Sequence, residues 1–149
     1  LLSFFNELRA PIMSVKKVKS SEVSRYGAVA VEKTKYPKVY RITDIIEKPK
    51  PEEAPSNLVS VGQFILTPEV YPHLNTLYPP PKNKELYLVD ALRLFLKRGG
   101  ELYGYEFTGK RYDCGSKFGL LQAQVELGLE HPETKHKFRN YLRSIAQKI

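Results

Sequence analysis

A chain of 149 residues with 42% hydrophobic residues is long enough for a domain with a real core, and this composition excludes a disordered chain. No apolar run approaches the ~20 residues that a transmembrane helix needs, and nothing at the start resembles a signal peptide. The net charge of +8 favours an anionic partner. Because the basic residues are spread out and lack the aromatic–basic interleaving of an RNA-binding sheet, we expect an anionic small molecule, or an acidic part of a larger protein, and no nucleic-acid or membrane partner.

The cysteine content and the first residues bear on where the protein works and how complete it is. The single cysteine, Cys114, excludes an internal disulfide and is typical of a reducing compartment, so we expect a cytoplasmic protein. The chain opens with the apolar residues LLSFF, which are typical of the middle of a helix. We therefore expect it to begin inside a larger protein.

Strand and helix patterns are mixed along the chain. Apolar runs, several of them rich in β-branched residues, predict strands over residues 12–15, 28–31, 39–46, 58–66 and 101–107. Apolar residues at helical spacing predict helices over residues 1–9, 68–77, 85–98, 117–129 and 132–147. Several strand-to-strand steps precede the late helices, which predicts an α/β fold with a mixed sheet flanked by helices.

Turn and cap residues define the boundaries of these elements. Three prolines in the segment 49–55 exclude a helix or a sheet interior, so we expect a loop there. A second proline-rich loop is expected over 78–84. Gly62 is expected to break its strand. Thr67 and Ser116 have the side chains and positions of helix caps.

A charged pair, Glu47 and Lys48, stands at the end of the third predicted strand and is followed by Pro49. The pair is either a solvated strand end, or a carboxylate that accepts sugar hydroxyls beside an ammonium that pairs with a phosphate. Adjacent side chains of a strand point to opposite faces, so both could meet one ligand only if the strand bends there. Pro49 favours an extended backbone at Lys48 and marks the place where such a bend could occur.

A second candidate lies between the last predicted strand and a helix start. Asp113 could bind a magnesium ion, which takes oxygen ligands and bridges to phosphates, or it could be a carboxylate stabilised by the helix dipole. Cys114 is predicted to be a small buried residue rather than a nucleophile, because no histidine is near it in sequence. Gly27 at a strand start either turns the chain or exposes its amide to a ligand.

The order of the motifs is more specific than any single motif. The chain contains, in sequence, VSRYG at 23–27, IEKP at 46–49, APSNL at 54–58, VG at 61–62, ELYLVDA at 85–91 and YDCGSK at 112–117. Together they resemble the C-terminal half of bacterial UTP–glucose-1-phosphate uridylyltransferases, and the resemblance covers nearly the whole chain. Related thymidylyltransferases have a comparable EKP segment but a different sequence around the metal-binding aspartate.

The resemblance implies a fold and a reaction. Residues 1–149 would form the C-terminal, sugar-binding part of a Rossmann-like nucleotidyltransferase domain. Glucose-1-phosphate would attack the α-phosphorus of UTP to give UDP-glucose and pyrophosphate, with Mg²⁺ offsetting phosphate charge. Members of this family are commonly dimers or tetramers, so a homo-oligomer is expected.

The resemblance also implies roles for individual residues. Glu47 would hold glucose hydroxyls, and Lys48 would contact the sugar-linked phosphate and act as the catalytic residue. The implied contacts are the backbone of Gly27 with the sugar, Asp113 with the metal, and Val61 and Gly62 with the walls of the sugar pocket.

One departure from the family limits these expectations. The glycine-rich nucleotide loop and the first metal-binding aspartate, which belong to the N-terminal half of such enzymes, do not occur in the 149 residues. We therefore predict that this chain alone does not turn over substrate. Three alternatives stay open: a sister nucleotidyltransferase using another base or sugar, a non-catalytic binding module of the same fold, and a nucleic-acid binder whose affinity falls steeply with salt.

Overall fold

The computed structural model describes residues 1–80, 82 and 85–148, which form two compact units, Leu1–Thr108 and Gly109–Ile149. The strands, all in the first unit, are β1 (Ile12–Lys17), β2 (Gly27–Lys33), β3 (Val39–Glu47), β4 (Leu58–Ile65) and β5 (Leu102–Glu106). The α-helices of the first unit are α1 (Leu2–Leu8), α2 (Tyr71–Thr76) and α3 (Leu88–Lys97), and those of the second are α4 (Lys117–Glu130) and α5 (Lys135–Ala146). Two 3-10 helices, Ser20–Arg25 and Pro68–Val70, complete the first unit.

The five strands form a mixed sheet, as predicted, and the sheet closes on itself in the order β1-β4-β2-β3-β5. β1 and β5 are parallel, and the other neighbours are antiparallel. The closure was not predicted, because it depends on β1 pairing with both β4 and β5, which are distant in sequence. β2 and β3 are consecutive antiparallel strands, so the start of β2 lies beside the end of β3, with Gly27 opposite Glu47.

The core of the first unit lies between the sheet and α3. It contains buried apolar residues of the strands together with Val89, Leu92 and Phe95 of the helix. Outside this core, the guanidinium of Arg93 on α3 donates two hydrogen bonds, of 2.7 and 2.8 Å, to the carboxylate of Asp44 on β3. The helix is therefore fixed to the strand that ends at the charged pair.

Several predicted boundaries differ from the observed ones. α3 begins at Leu88 rather than at residue 85, because Tyr87 has an extended backbone (φ −93°, ψ 132°). β4 runs through Gly62 without a break. The irregularity is in its pairing with β1: Ser60 and Phe64, four residues apart, pair with Val15 and Met13, which are two residues apart. Thr67 makes no side-chain cap hydrogen bond, and the helix after it begins as a 3-10 turn. Of the loop predicted over 78–84, positions 81, 83 and 84 lie outside the described residues.

The second unit is a pair of helices. Ser116 caps α4 as predicted, since its Oγ accepts a hydrogen bond of 3.0 Å from the amide of Gly119. Phe138, Leu142 and Ile145 are the half-buried residues of the predicted apolar stripe on α5; position 149, also predicted in that stripe, lies outside the described residues. Within the described part of the chain, no helix has the length and apolar character needed to cross a membrane.

Candidate functional site

The carboxylate of Glu47 lies in a space that only a glycine at position 27 leaves open. The two residues pair across β2 and β3, and a Cβ added to Gly27 would be 3.0 Å from Oε2 of Glu47. It would also be 3.5 Å from Cγ2 of Val89, on the first turn of α3. Gly27 is buried and Glu47 is half-buried, so the carboxylate is held against the backbone of β2 rather than extended into solvent.

The surroundings of Glu47 change its acidity. Burial, the largest cause, raises the pKa of its carboxyl group above the usual value. The positive charge of Lys48 opposes this, and the negative charge of Asp90 adds to the increase. The carboxylate is therefore partly desolvated and near both a cation and another anion, a combination found often at ligand-binding positions.

Lys48 leaves the strand through an unusual backbone conformation. Its φ is +45°, whereas the prediction from Pro49 was an extended residue. The left-handed region costs a non-glycine residue about 1 kcal/mol or more. Part of the compensation is a hydrogen bond of 3.0 Å from the amide of Lys48 to the carbonyl of Tyr26. Because this turn interrupts the alternation of the strand, Glu47 and Lys48 no longer have to point to opposite faces.

The ammonium of Lys48 lies over an aromatic ring that the sequence interpretation did not single out. Its Nζ is 5.1 Å from the centroid of the Tyr87 ring, which is within the range of a cation–π contact. Tyr87 was predicted inside a helix, although the structure makes it the extended residue just before α3. The only signal in the sequence was its place in the ELYLVDA motif, which also contains Asp90.

The APSNL loop that follows the charged pair is tied back to the sheet. The hydroxyl of Ser56 donates a hydrogen bond of 2.7 Å to the carbonyl of Val29 and accepts one of 3.0 Å from the amide of Leu58. The carbonyl of Asn57 accepts a hydrogen bond of 3.0 Å from the amide of Val18. The end of this proline-rich loop is thus fixed to β2, the strand that begins with Gly27.

Val61 and Gly62 belong to the strand beside β2. Val59 of β4 pairs with Ala28, the residue after Gly27. Val61 lies two residues after Val59 along β4. Val61 is half-buried, and Gly62 is exposed with a φ of +85°. No atom lies within 4 Å of a Cβ added to Gly62, so backbone conformation, rather than close approach of another group, explains this glycine.

Asp113 lies in the second unit, in the turn that leads into α4. Its carbonyl accepts hydrogen bonds from the amide and the hydroxyl of Ser116, of 3.1 and 3.0 Å. Asp113 therefore precedes the cap of the helix and is not within its first turn. Cys114, predicted to be buried, is exposed because it is part of this surface turn.

The turn provides a limited set of ligands for a metal. Among the described residues, no group of three or more His, Cys, Asp or Glu side chains could hold a metal ion. Magnesium is commonly held by one or two carboxylates together with water and substrate phosphates. Asp113, a half-buried residue, has a carboxylate that fits that mode as a single oxygen donor.

Comparison with known proteins places the chain in a family of enzymes. Residues 1–129 match the model of the nucleotidyl transferase family, and the chain belongs to that family. A curated UTP–glucose-1-phosphate uridylyltransferase 1 of Streptococcus pyogenes serotype M3 is 34% identical over 149 residues, which are 100% of this chain and 48% of the relative. A UTP–glucose-1-phosphate uridylyltransferase of Streptococcus pneumoniae serotype 4 is also 34% identical, with 100% and 49% covered. The chain thus spans about half the length of the curated relatives it matches.

Solved structures give the same result. A UDP-glucose pyrophosphorylase crystallised with UDP-glucose has a TM-score of 0.77 and 39% identity, with 87% of this chain and 48% of that chain covered. The UDP-glucose pyrophosphorylase of Acinetobacter baumannii has a TM-score of 0.79 and 30% identity, with 97% and 48% covered. A putative glucose-1-phosphate thymidylyltransferase of Bacillus anthracis has a TM-score of 0.62 and 25% identity, with 84% and 46% covered.

Proposed function

We propose that this chain supplies the sugar-phosphate side of the active site of a UTP–glucose-1-phosphate uridylyltransferase. The observation that carries the proposal is the arrangement at the strand ends. There the Glu47 carboxylate lies against Gly27, and the left-handed turn at Lys48 releases the neighbouring ammonium from the strand. A carboxylate accepts hydrogen bonds from sugar hydroxyls, and an ammonium pairs with a phosphate.

The environment of Glu47 supports the choice of ligand. A partly desolvated carboxylate gains stability from hydroxyl donors, and a sugar offers several of them at once. Gly27 leaves the backbone of β2 open beside the carboxylate, so a sugar ring could approach it closely. Val61 and Gly62, farther along β4, are proposed as walls of the same pocket.

In the proposed reaction, a phosphate oxygen of glucose-1-phosphate attacks the α-phosphorus of UTP. A new P–O bond forms, the bond between the α-phosphorus and the bridging oxygen breaks, and pyrophosphate leaves with the electron pair. Lys48 would hold the attacking phosphate and offset its charge, which lowers the repulsion between two anions. A bound Mg²⁺ would neutralise further phosphate charge, and Asp113 is the residue proposed to contribute an oxygen ligand to it.

The order of the motifs supports assigning the chain to the C-terminal half of such an enzyme. EKP, APSNL and DCG-x-K follow one another at the spacing of that half, and a glycine-rich nucleotide loop does not occur in the 149 residues. UTP would then bind mainly through residues outside this chain. The second candidate is a sister thymidylyltransferase. It is supported by the similarity to the Bacillus anthracis protein, whose identity and TM-score are lower than those of the UDP-glucose pyrophosphorylases.

The proposed binding of glucose-1-phosphate is tested by comparing it with its two parts, glucose and inorganic phosphate, as separate ligands. Isothermal titration of the chain with glucose-1-phosphate, glucose and inorganic phosphate gives three dissociation constants for each variant. We expect Glu47→Gln to weaken glucose-1-phosphate and glucose roughly tenfold or more, because a hydrogen bond to a charged group is lost, and to leave phosphate unchanged. Lys48→Met should weaken glucose-1-phosphate and phosphate and leave glucose unchanged.

The proposal is wrong if the wild-type chain binds none of the three compounds, or if both variants keep wild-type affinities. The base is tested separately, by pyrophosphate release in the natural protein that contains this chain. UTP should be used in preference to dTTP, whereas the opposite preference would support the thymidylyltransferase. We expect the 149 residues alone to release no pyrophosphate from either nucleotide.

A further inference from the structure

We propose that Tyr87 is a positioning residue of this site, whose ring holds the Lys48 ammonium where it meets the phosphate of the sugar substrate. The inference rests on the proposed function of Glu47 and Lys48. It concerns a residue that the motif analysis gave no role, and a contact that the fold creates between two segments 39 residues apart in sequence.

The contact restrains a side chain that would otherwise be mobile. A lysine has four rotatable side-chain bonds, and ordering it for a ligand costs conformational entropy. With Nζ 5.1 Å from the ring centroid of Tyr87, part of that ordering is already present before a ligand binds. The positive φ at Lys48 fixes the backbone end of the same side chain.

The backbone that carries the ring is itself held in place. Tyr87 ends its extended segment where the amide of Asp90 donates a 3.1 Å hydrogen bond to its carbonyl and α3 begins. α3 is anchored to β3 through the Arg93–Asp44 pair, three residues before Glu47. Tyr87 and Lys48 therefore adjoin the ends of two elements, α3 and β3, that are fixed to each other.

A ring suits this position better than a carboxylate would. A carboxylate partner would neutralise the lysine and compete with the incoming phosphate for it. The tyrosine ring attracts a cation through its quadrupole but carries no net charge, so it adds no negative charge to that of the nearby Glu47 and does not compete with the phosphate as an anion.

The test compares Tyr87→Leu, which removes the ring, with Tyr87→Phe, which keeps the ring and removes only the hydroxyl. The dissociation constant of glucose-1-phosphate should rise roughly two- to fivefold in Tyr87→Leu, the range of an exposed cation–π contact, and stay within the error of wild type in Tyr87→Phe. The dissociation constant of glucose should not change in either. Tyr71→Leu, at a tyrosine that is 55% exposed on α2, is the matched control and should leave all constants unchanged.

Two further measurements distinguish positioning from a general structural effect. In a Lys48→Met background, Tyr87→Leu should cause no additional loss, because the ring acts through the lysine. In the free protein, the Hε signals of Lys48 should lose their upfield ring-current shift in Tyr87→Leu and keep it in Tyr87→Phe.

If Lys48→Met weakens glucose-1-phosphate while Tyr87→Leu has no effect, the role of Tyr87 is refuted and the proposed function stands. A tighter complex in Tyr87→Leu would also refute it, since the ring would then be a competitor of the phosphate. If the wild-type chain does not bind glucose-1-phosphate, the proposed function fails and this inference fails with it.

Discussion

The two regions that carry candidate site residues are built very differently. Glu47 and Lys48 end a strand whose inner face contains fully buried residues such as Ile45, and their positions are fixed by strand pairing, a glycine and a helix. Asp113 lies in a surface turn before α4, a helix whose buried described residues are only Gly119 and Ala123. The fold of the first unit therefore holds a carboxylate and an ammonium beside each other, whereas the second unit provides one carboxylate in a turn.

The difference indicates that the strand end at Glu47 and Lys48 has more features of a binding site than the turn at Asp113. The strand-end pair has a raised pKa at Glu47, a strained residue at Lys48 and a ring beneath the ammonium, and these features together are more specific than any one of them. The turn at Asp113 becomes a metal site only with ligands from the substrate or from elsewhere.

The largest effect should come from the core beneath the strand end. Ile45→Ala removes a fully buried side chain from β3 and should lower the free energy of unfolding by about 2–5 kcal/mol. Leu142→Ala, at a half-buried position of α5, should lower it by only about 1 kcal/mol. Urea unfolding of both variants measures the two changes. Equal losses would contradict the contrast between a deep core and a shallow one.

A smaller change should separate the two candidate sites by function. In Gly27→Ala the new methyl group would be 3.0 Å from Oε2 of Glu47, so the carboxylate must shift. We expect the affinity for glucose-1-phosphate to fall about tenfold, equivalent to about 1.4 kcal/mol, with the fold kept. Titration calorimetry gives the affinity, and circular dichroism checks the fold.

The matched control for that variant lies in the other unit. In Gly115→Ala the added methyl group would be 3.3 Å from Oδ1 of Asp113, a similar crowding of a carboxylate. Without magnesium it should leave the affinity of the chain for glucose-1-phosphate unchanged. A loss equal to that of Gly27→Ala would show that the strand end is not the binding position.

The smallest expected effects concern two carboxylates of the same strand that respond oppositely to pH. The hydrogen bonds from Arg93 lower the pKa of Asp44, so its contribution to stability is present at neutral pH and is lost as pH falls through its folded-state pKa. Burial raises the pKa of Glu47, so the folded state binds a proton more tightly than the unfolded state, and stability falls as pH rises through that pKa.

Melting temperatures of two amide variants, measured from neutral pH downwards, test these signs. Asp44→Asn should melt below wild type at pH 7, and the difference should vanish in acid. Glu47→Gln should melt above wild type at pH 7, and this difference should also shrink as pH falls. Shifts of the same sign at pH 7 would mean that one of the two environments is misassigned.

Much of this arrangement could be predicted from the sequence, because its signals are local. The β-branched run before Glu47, the prolines after it and the serine before α4 correctly placed a strand, a loop and a capped helix. The charged pair at the strand end could be recognised as a candidate from residue types alone. Its assignment to a sugar phosphate came from the order of motifs and remains a proposal.

The rest depends on contacts that local patterns do not encode. Closure of the sheet requires β1 to pair with strands that follow much later in the chain. The helical pattern of the sequence led us to include Tyr87 in the helix, although α3 begins one residue later. The contact of the Tyr87 ring with Lys48 was therefore not predicted. The backbone of Lys48 has a positive φ instead of the extended conformation that a following proline favours, and its amide donates a hydrogen bond to the carbonyl of Tyr26, a residue 22 positions earlier that a local pattern does not include.

An NMR titration of the ¹⁵N-labelled chain with glucose-1-phosphate tests directly whether the strand end at Glu47 and Lys48 binds the sugar phosphate. We expect saturable shifts of the amide signals of Gly27, Glu47 and Lys48, with weaker shifts of the same signals when glucose is used. Shifts confined to residues 33–40, the lysine-containing turn that joins β2 to β3 together with the adjacent strand ends, or no shifts at all, would contradict this expectation.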